Sequence, residues 1–206
     1  MLTRSRPRAR RSRRPLRALF ILLLALSIAA FVLFRGGDWM MRQRYRYPHR
    51  DLVERYAAEQ SISPALVAAV IYSESRFRQD AVSRLGARGL MQLMPDTAEW
   101  IAQKLDETDG YTFDRMFNPE TNIRYGCWYL GFLSRCFGGD IIKIAAGYHA
   151  GQNAVFGWLD DPSISPNGWT IAVDDIPYAD TRQYVEKVVK TYAIYQKYYY
   201  APVAAS

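Results

Sequence analysis

The sequence predicts a mainly α-helical domain preceded by an N-terminal transmembrane helix. Three observations support this fold class. Capped apolar segments recur between residues 48 and 200, strand-like alternation is scarce, and an uncharged stretch lies near the N-terminus. Half of the 206 residues are apolar and 14% are aromatic, which excludes a disordered chain and indicates one packed domain.

The uncharged stretch covers residues 18–34, which as a helix would extend roughly 26 Å, at the short end for a bilayer crossing. Residues 1–17 contain eight Arg and no acidic residue. This asymmetry predicts a cytoplasmic tail, a single-pass anchor in the cell membrane and an extracytoplasmic domain. The alternative is a cleaved signal peptide, because Ser27-Ile28-Ala29 has the small-x-small pattern, although no polar spacer precedes it.

The rest of the chain is organised around one domain. Residues 35–47 are expected to form a linker, residues 48–200 the folded domain and residues 201–206 a tail. Subtracting the eight N-terminal arginines from the net charge of +7 leaves about −1. The folded part is therefore not strongly basic, and no nucleic-acid partner is expected.

The two cysteines, Cys127 and Cys136, lie nine residues apart on one predicted helix. That spacing separates them by roughly 13 Å along the axis and points them to opposite sides, so a disulfide is not expected. Together with two histidines they show no zinc-binding spacing. We therefore expect neither a metal nor a cofactor.

Capping residues and apolar periodicity predict six helices after the linker. Ser63 is a predicted N-cap with Pro64 at the first helical position. Asp180 with Gln183 resembles a capping box. The predicted helices cover residues 50–60, 64–74, 95–105, 119–137, 141–150 and 180–199.

Glu74 is the one residue that this helical pattern does not explain. It ends a helix that is apolar on all sides at residues 65–72, so the carboxylate is expected to be desolvated near a helix C-terminus. Both effects favour the protonated form, and a carboxyl with a raised pKa serves as a general acid near neutral pH. The structural alternative is a surface ion pair with Arg76 or Arg78.

The segment after Glu74 predicts a loop that approaches a ligand closely. Gly86 and Gly89 allow unusual backbone conformations, and Met91 and Gln92 combine an apolar contact with an amide that suits sugar hydroxyl or N-acetyl groups. The alternative is a loop that packs on the core. His149 has no G-x-S-x-G motif to accompany it, and the tyrosines at 192, 195, 198 and 199 are more typical of core than of a sugar platform.

Five blocks in order across residues 50–196 resemble the lytic transglycosylases of the soluble-type SLT domain, which have a goose-lysozyme-like fold. The blocks are Glu74-Ser75-Arg76-Phe77; Gly86-Ala87-Arg88-Gly89-Leu90-Met91-Gln92 with Met94-Pro95 and Thr97-Ala98; Asn122-Ile123 with Gly126 and Tyr129-Leu130; Tyr148-His149-Ala150-Gly151 with Val155 and Trp158; and Ile176-Pro177 with Asp180-Thr181-Arg182 and Tyr184-Val185.

This resemblance implies site residues by position. Glu74 corresponds to the catalytic acid/base, and Tyr148 would place its hydroxyl near it. The residues implied to line the cleft around N-acetylmuramic acid are Ser83, Met91 and Gln92. Two positions depart from the family pattern, because His149 stands where the family usually has Asn, and Asp180 stands where it usually has Glu.

The resemblance also implies the reaction. Glycosidases ordinarily use two carboxylates, and no second acid is obvious beside Glu74. A single acid/base would cleave the bond between N-acetylmuramic acid and N-acetylglucosamine in peptidoglycan strands without water, leaving a 1,6-anhydro end. Two alternatives are a hydrolytic goose-type lysozyme, with Asp174, Asp175 or Asp180 activating water, and a non-catalytic wall-binding envelope protein.

Overall fold

The computed structural model describes residues 14–201, without the side chains at 14–19, 21, 29–30 and 32–34. Residues 1–13 of the expected basic tail and residues 202–206 of the expected C-terminal tail lie outside the described residues. The chain divides into two units, residues 1–46 and residues 47–206, and each is described by itself.

The described part of the first unit is helix α1 (Arg14–Arg44). The helix extends to Arg44, so most of the segment predicted as a linker, residues 35–47, is helical. Its large exposed apolar side chains include Phe20, Leu22, Leu23, Leu24, Leu26, Ile28, Phe31, Trp39 and Met40. Within the described residues, no helix is both long and apolar enough to cross a membrane.

The second unit consists of seven α-helices joined by loops and short turns. The helices are α2 (Arg50–Glu59), α3 (Pro64–Glu74), α4 (Pro95–Lys104), α5 (Pro119–Phe137), α6 (Ile141–Ala150), α7 (Gln152–Asp160) and α8 (Ala179–Tyr195). Between residues 47 and 201, the β pairing consists of two isolated bridges, Val82 with Arg88 and Arg88 with Leu93. The prediction of a mainly helical domain is confirmed.

Helix α3 forms the centre of this unit. Its residues 65–71 are at most 3% exposed, because α8, α2 and α5 pack around a helix that is apolar on every side. Glu74 is the last residue of α3, as predicted. The packing places the end of α3 against α8, which begins more than one hundred residues later in the sequence.

Two of the predicted helix caps are present. The Asn118 side chain accepts a hydrogen bond from the Thr121 amide, and the Asp140 carboxylate accepts from the amides of Ile142 and Lys143. These local bonds fix the starts of α5 and α6. Helix α5 is continuous and contains both cysteines as free thiols.

The predicted capping box at Asp180 is wrong. Helix α8 begins at Ala179 with Tyr178 as N-cap, so Asp180 lies inside the first turn, and no side chain caps the helix. The α-helix also ends at Tyr195, four residues before the predicted end, and continues as a π-helical turn (Gln196–Tyr200). Among the tyrosines expected to belong to the core, Tyr195 is fully buried, whereas Tyr192, Tyr198 and Tyr199 are half-buried.

Ser63 is the N-cap of α3 in position, but its side chain makes no capping bond. Its hydroxyl accepts a hydrogen bond from the Gln196 amide at 3.3 Å instead. Helix α7 was not predicted, because Gly151 ends α6 and the next helix begins at the following residue. Gly151 has φ of 85° and ψ of 148°, a conformation that glycine adopts readily and that turns the chain between the two helices.

Candidate active site

Glu74 lies where α3 ends and its carboxyl meets α8. Burial raises the pKa of Glu74 to about 7, and this effect outweighs the lowering influence of the Tyr184 hydroxyl and the Lys187 ammonium. Glu74 forms no salt bridge with Arg76 or Arg78 among the described residues. The surface ion pair suggested as an alternative is therefore not the environment of this carboxyl.

The backbone immediately after Glu74 is strained. Arg76 and Phe77 have φ of 53° and 62°, a region that residues with a Cβ rarely adopt. The Ser75 hydroxyl donates to the Leu90 carbonyl at 2.7 Å, and the Phe77 ring packs edge-on against Tyr47 with centroids 6.1 Å apart. These contacts hold the turn in place and so fix the backbone next to Glu74.

Two residues of α8 accompany Glu74. The Lys187 ammonium donates a hydrogen bond to the Ser73 carbonyl at 2.5 Å and attracts the Glu74 carboxylate. Tyr184 lies next to the carboxyl, and its buried hydroxyl has no hydrogen-bond partner of standard geometry within residues 14–201. The site thus contains one carboxyl, one cation and one hydroxyl with spare hydrogen-bonding capacity.

The loop after α3 is braced by its own polar side chains. The Ser83 hydroxyl accepts from the Ala87 amide at 3.0 Å. The Gln92 side-chain nitrogen donates to the carbonyls of Ala81 and Gly89 at 3.0 and 2.8 Å. The two donor hydrogens of the Gln92 amide are therefore used inside the loop, and its oxygen is the atom left to accept from a ligand.

Asn122 on α5 clamps this loop to the core. The fully buried side chain accepts from the Met91 amide at 2.8 Å and donates to the carbonyls of Arg88 and Met116, both at 3.0 Å. Gly89 passes so closely that a Cβ there would lie 2.1 Å from the Met116 carbonyl oxygen. Only glycine fits this position, where φ is 78°.

Tyr148 on α6 joins the loop to the carboxyl. Its hydroxyl donates to the Met91 carbonyl at 2.8 Å. Burial raises the pKa of Tyr148 well above its ordinary value, and the nearby Glu74 carboxylate adds to the increase. The phenol is therefore neutral, and it lies within electrostatic reach of Glu74.

His149 and Asp180 lie together between α6 and α8. A His149 ring nitrogen, Nδ1, is 3.0 Å from the Thr181 hydroxyl, and the ring packs on Tyr184 with centroids 4.7 Å apart. Burial lowers the pKa of His149, and the Asp180 carboxylate partly offsets this effect. Through Tyr184, this pair is one side chain away from Glu74.

The predicted site residues thus differ in how closely they approach Glu74. Glu74 and Tyr148 are close enough to influence each other, and His149 and Asp180 reach them through Tyr184. The Met91 side chain is fully buried and packs against Gly126, so its backbone carbonyl is the part that meets Tyr148. Ser83 and Gln92 shape the loop by hydrogen bonds within it.

Lys187, Tyr184 and Asn122 are the site residues that sequence reasoning missed as functional. Lys187 follows Tyr184 by three residues on α8, but nothing in the sequence connects it with Ser73. Asn122 belongs to a motif that was noted, and its burial in an apolar helix face was the available signal. In the described part of the chain, no cluster of three or more His, Cys, Asp or Glu residues could hold a metal ion.

Comparison with known proteins gives the same class of fold. The 70 kDa soluble lytic transglycosylase of Escherichia coli superposes with a TM-score of 0.69 at 31% identity, covering 77% of this chain and 25% of that one. The lytic transglycosylase Slt of Pseudomonas aeruginosa, as an inactive Glu-to-Gln mutant, superposes with a TM-score of 0.68 at 32% identity, covering 79% and 26%. The fold is therefore the lysozyme-like helical fold of these enzymes.

Among sequences, the soluble lytic murein transglycosylase of Escherichia coli K12 is 33% identical over 175 residues, covering 84% of this chain and 26% of the relative. The membrane-bound lytic murein transglycosylase C of Yersinia pestis is 29% identical, covering 74% and 48%. The chain thus spans between a quarter and a half of the length of these relatives. The transglycosylase SLT domain matches residues 51–166, and the chain belongs to this family.

Proposed function

We propose that this protein is a peptidoglycan lytic transglycosylase that uses Glu74 as its single acid/base. The observation that carries the proposal is a carboxyl with a pKa of about 7 at the end of a buried helix, held beside Tyr148 and Tyr184. At neutral pH such a group is present in both protonation states, so it serves equally well as a donor and as an acceptor of a proton.

In the first step, protonated Glu74 donates its proton to the glycosidic oxygen, and the bond from C1 of N-acetylmuramic acid to that oxygen breaks. The substrate's own N-acetyl group stabilises the cationic centre. Glu74, now a carboxylate, takes the proton of the C6 hydroxyl as that oxygen bonds to C1. The 1,6-anhydro sugar forms, no water is consumed, and Glu74 returns to its protonated state.

The surroundings of Glu74 favour this route over hydrolysis. Asp174, Asp175 and Asp180 are the acidic residues that a hydrolytic lysozyme would require, and all three are solvent-exposed. Asp180 interacts with His149, and none of the three influences the pKa of Glu74. The carboxyl therefore works without a second acid.

The relatives support the proposal. Both named sequence relatives are lytic murein transglycosylases, and the Pseudomonas aeruginosa enzyme is inactive when a glutamate becomes glutamine. The related 70 kDa enzyme has also been solved as a complex with bulgecin A; the superposition has a TM-score of 0.70 at 30% identity. By position, we assign substrate contacts to Ser83, Gln92, Tyr148, His149 and Asp180. The remaining predicted residue, Met91, is fully buried and supports the cleft from behind.

The test is digestion of purified peptidoglycan sacculi by the full-length chain in detergent, followed by mass spectrometry of the released muropeptides. The expected products are one water lighter than those of hydrolysis. Glu74→Gln should reduce their release by about 10⁴-fold, the upper end for loss of acid–base catalysis, since both roles are removed. Hydrated products would indicate a lysozyme, and normal release by Glu74→Gln would transfer the role to another carboxylate, beginning with Asp180.

We further propose that residues 18–34 anchor the protein in the cell membrane, with residues 48–200 outside the cytoplasm. The support is a run of seventeen uncharged residues behind eight arginines, with exposed apolar side chains such as Leu24 and Phe31 on α1. One similar relative is named as membrane-bound.

A further inference from the structure

The ring of Phe77, three residues after Glu74, is held between two tyrosine rings. Its centroid lies 6.1 Å from that of Tyr47, in an edge-on arrangement, and 6.4 Å from that of Tyr195, in a tilted one. Tyr47 and Tyr195 also meet each other edge-on, with centroids 5.2 Å apart. Phe77, Tyr47 and Tyr195 therefore form an aromatic triangle in which each ring contacts the other two.

The three rings of the aromatic triangle come from distant parts of the chain. Tyr47 is the first residue of the second unit, Phe77 follows α3, and Tyr195 ends α8. Tyr195 is fully buried and packs edge-on against Tyr72 of α3, with centroids 6.4 Å apart, so the core fixes its position. Tyr47 is half-buried and precedes α2. It therefore closes the triangle from the outside.

Tyr47 is itself held in one orientation. Its hydroxyl lies 2.9 Å from the Tyr200 hydroxyl and 3.2 Å from the Pro64 carbonyl oxygen. The Tyr200 hydroxyl in turn donates a hydrogen bond to the Glu54 carboxylate at 3.0 Å. The Tyr47 ring also packs edge-on against Tyr199, with centroids 5.2 Å apart. Because of these contacts, the ring cannot turn away from Phe77 without breaking polar bonds.

The turn after Glu74 requires such a support. Arg76 and Phe77 both have a positive φ, which is unfavourable for a residue with a Cβ and persists only where the surroundings hold it. On one side of the turn, the Ser75 hydroxyl is bound to the Leu90 carbonyl. On the other side, the aromatic triangle holds the Phe77 ring. Without the triangle the backbone would relax towards an ordinary φ, and the carboxyl of Glu74 would move with it.

We propose that Tyr47 is a positioning residue for Glu74, because its ring holds Phe77 and thereby the strained turn next to the carboxyl. The proposal rests on the proposed function for the role of Glu74 as acid/base. Tyr47 acts on the position of the carboxyl and not on the substrate, so its loss should lower turnover more than apparent affinity. A displacement of about 1 Å in a reacting group is enough to lower a rate by about 100-fold.

The first test compares two substitutions of Tyr47 in the full-length chain in detergent, with purified sacculi as substrate. Tyr47→Ala removes the ring and should lower kcat by about ten- to hundredfold, with KM close to the wild-type value. Tyr47→Phe keeps the ring and loses only the hydroxyl, so it should keep nearly the wild-type kcat. A purely stabilising role would be impaired in both variants, since both lose the contacts of the hydroxyl with Pro64 and Tyr200.

The second test follows the carboxyl without turnover, by NMR titration of the full-length chain with isotope-labelled glutamate side chains. The Glu74 signal is the one that disappears in Glu74→Gln. A relaxed turn would admit water to the carboxyl, so its pKa should fall from about 7 towards 4.5 in Tyr47→Ala and stay near 7 in Tyr47→Phe. The titratable groups that face Glu74, Tyr184 and Lys187 on α8 and Tyr148 on α6, are the same in every variant.

Tyr56→Ala is the matched control. Tyr56 also donates a hydrogen bond to a carboxylate, that of Glu120 at 2.8 Å, and lies under a guanidinium group, that of Arg55 at 4.6 Å from the ring centroid. Within the described residues its ring does not pack against Phe77. Tyr56→Ala should therefore lower stability without changing the pKa of Glu74.

If Tyr47→Ala does not fold, Tyr47→Leu takes its place, because leucine fills apolar space but offers no ring edge to Phe77. An unchanged pKa of Glu74 or an unchanged kcat in the folded variant, or an equal fall of the pKa in Tyr56→Ala, would overturn the role of Tyr47. A wild type that releases no anhydro product would overturn the proposed function instead. The titration would then still decide whether Tyr47 holds Glu74 in place.

Discussion

Lys187 donates a hydrogen bond to the carbonyl oxygen of Ser73 at 2.5 Å, one residue before the proposed acid/base. This bond links two helices 114 residues apart in sequence and brings an ammonium group to the end of α3. The charge opposes the effect of burial on Glu74. Burial raises the pKa of Glu74, and the Tyr184 hydroxyl and then Lys187 oppose it, so that the pKa is about 7.

Lys187→Met should raise the pKa of Glu74, because the carboxylate loses the attraction of the Lys187 ammonium group. The alkaline limb of the pH–activity profile is expected to move upward by up to about one pH unit. Lys190→Met, one turn along the same helix and exposed, is the control and should leave the limb in place. A limb that stays fixed in Lys187→Met would show that the ammonium does not tune Glu74.

Glu74→Gln should remove a pH dependence of stability as well as activity. The folded protein holds the Glu74 proton more tightly than the unfolded chain does, with a pKa of about 7 against 4.5. The stabilisation from this proton is complete below pH 4.5 and is lost as the pH rises towards 7, by at most about 3 kcal/mol. Urea unfolding at pH 4.5 and pH 8 should show a smaller difference in Glu74→Gln than in the wild type. If the wild type and Glu74→Gln show the same difference, the Glu74 carboxyl is hydrated in the folded protein rather than buried.

His149→Asn should retain activity and flatten any step in the activity profile between about pH 5 and 7. Burial lowers the pKa of His149, so the ring is neutral at pH 7 and gains a proton in acid, where Asp180 attracts it. The amide of Asn cannot titrate. An unchanged acid step in His149→Asn would show that the step belongs to another group, such as Glu74.

Gly89→Ala should destabilise the loop that carries Gln92. The added Cβ would lie 2.1 Å from the Met116 carbonyl oxygen and 2.3 Å from the Asn122 amide nitrogen. We expect a loss of about 3 kcal/mol in the free energy of unfolding and reduced activity. Gly86→Ala is the matched control, because Gly86 also has a positive φ but has no neighbour within 4 Å of a Cβ. Its cost should stay near 1 kcal/mol.

The proposed membrane topology is tested by adding protease to intact spheroplasts. The domain at residues 48–200 should be digested, because the eight N-terminal arginines favour a cytoplasmic N-terminus. A cytoplasmic marker protein should survive the same treatment. Protection of the domain would reverse the orientation, and release of the domain into the medium without detergent would favour the cleaved signal peptide.

Local sequence determined the helical class and most helix boundaries. Asn118 and Asp140 cap their helices through bonds to amides two or three residues away, so neighbouring residues contain the information. The position of Glu74 at the end of an apolar helix could be predicted for the same reason. The local signal failed at Asp180, because α8 already begins at Ala179 and Asp180 lies in its first turn.

Only the tertiary structure decided what surrounds Glu74. Its pKa depends on the packing of α8 and α6 against α3, which brings Tyr184, Lys187 and Tyr148 to one carboxyl. Capping and helical periodicity act over a few residues, whereas desolvation and charge act through space, so the chain order determines the helices and their packing determines the chemistry.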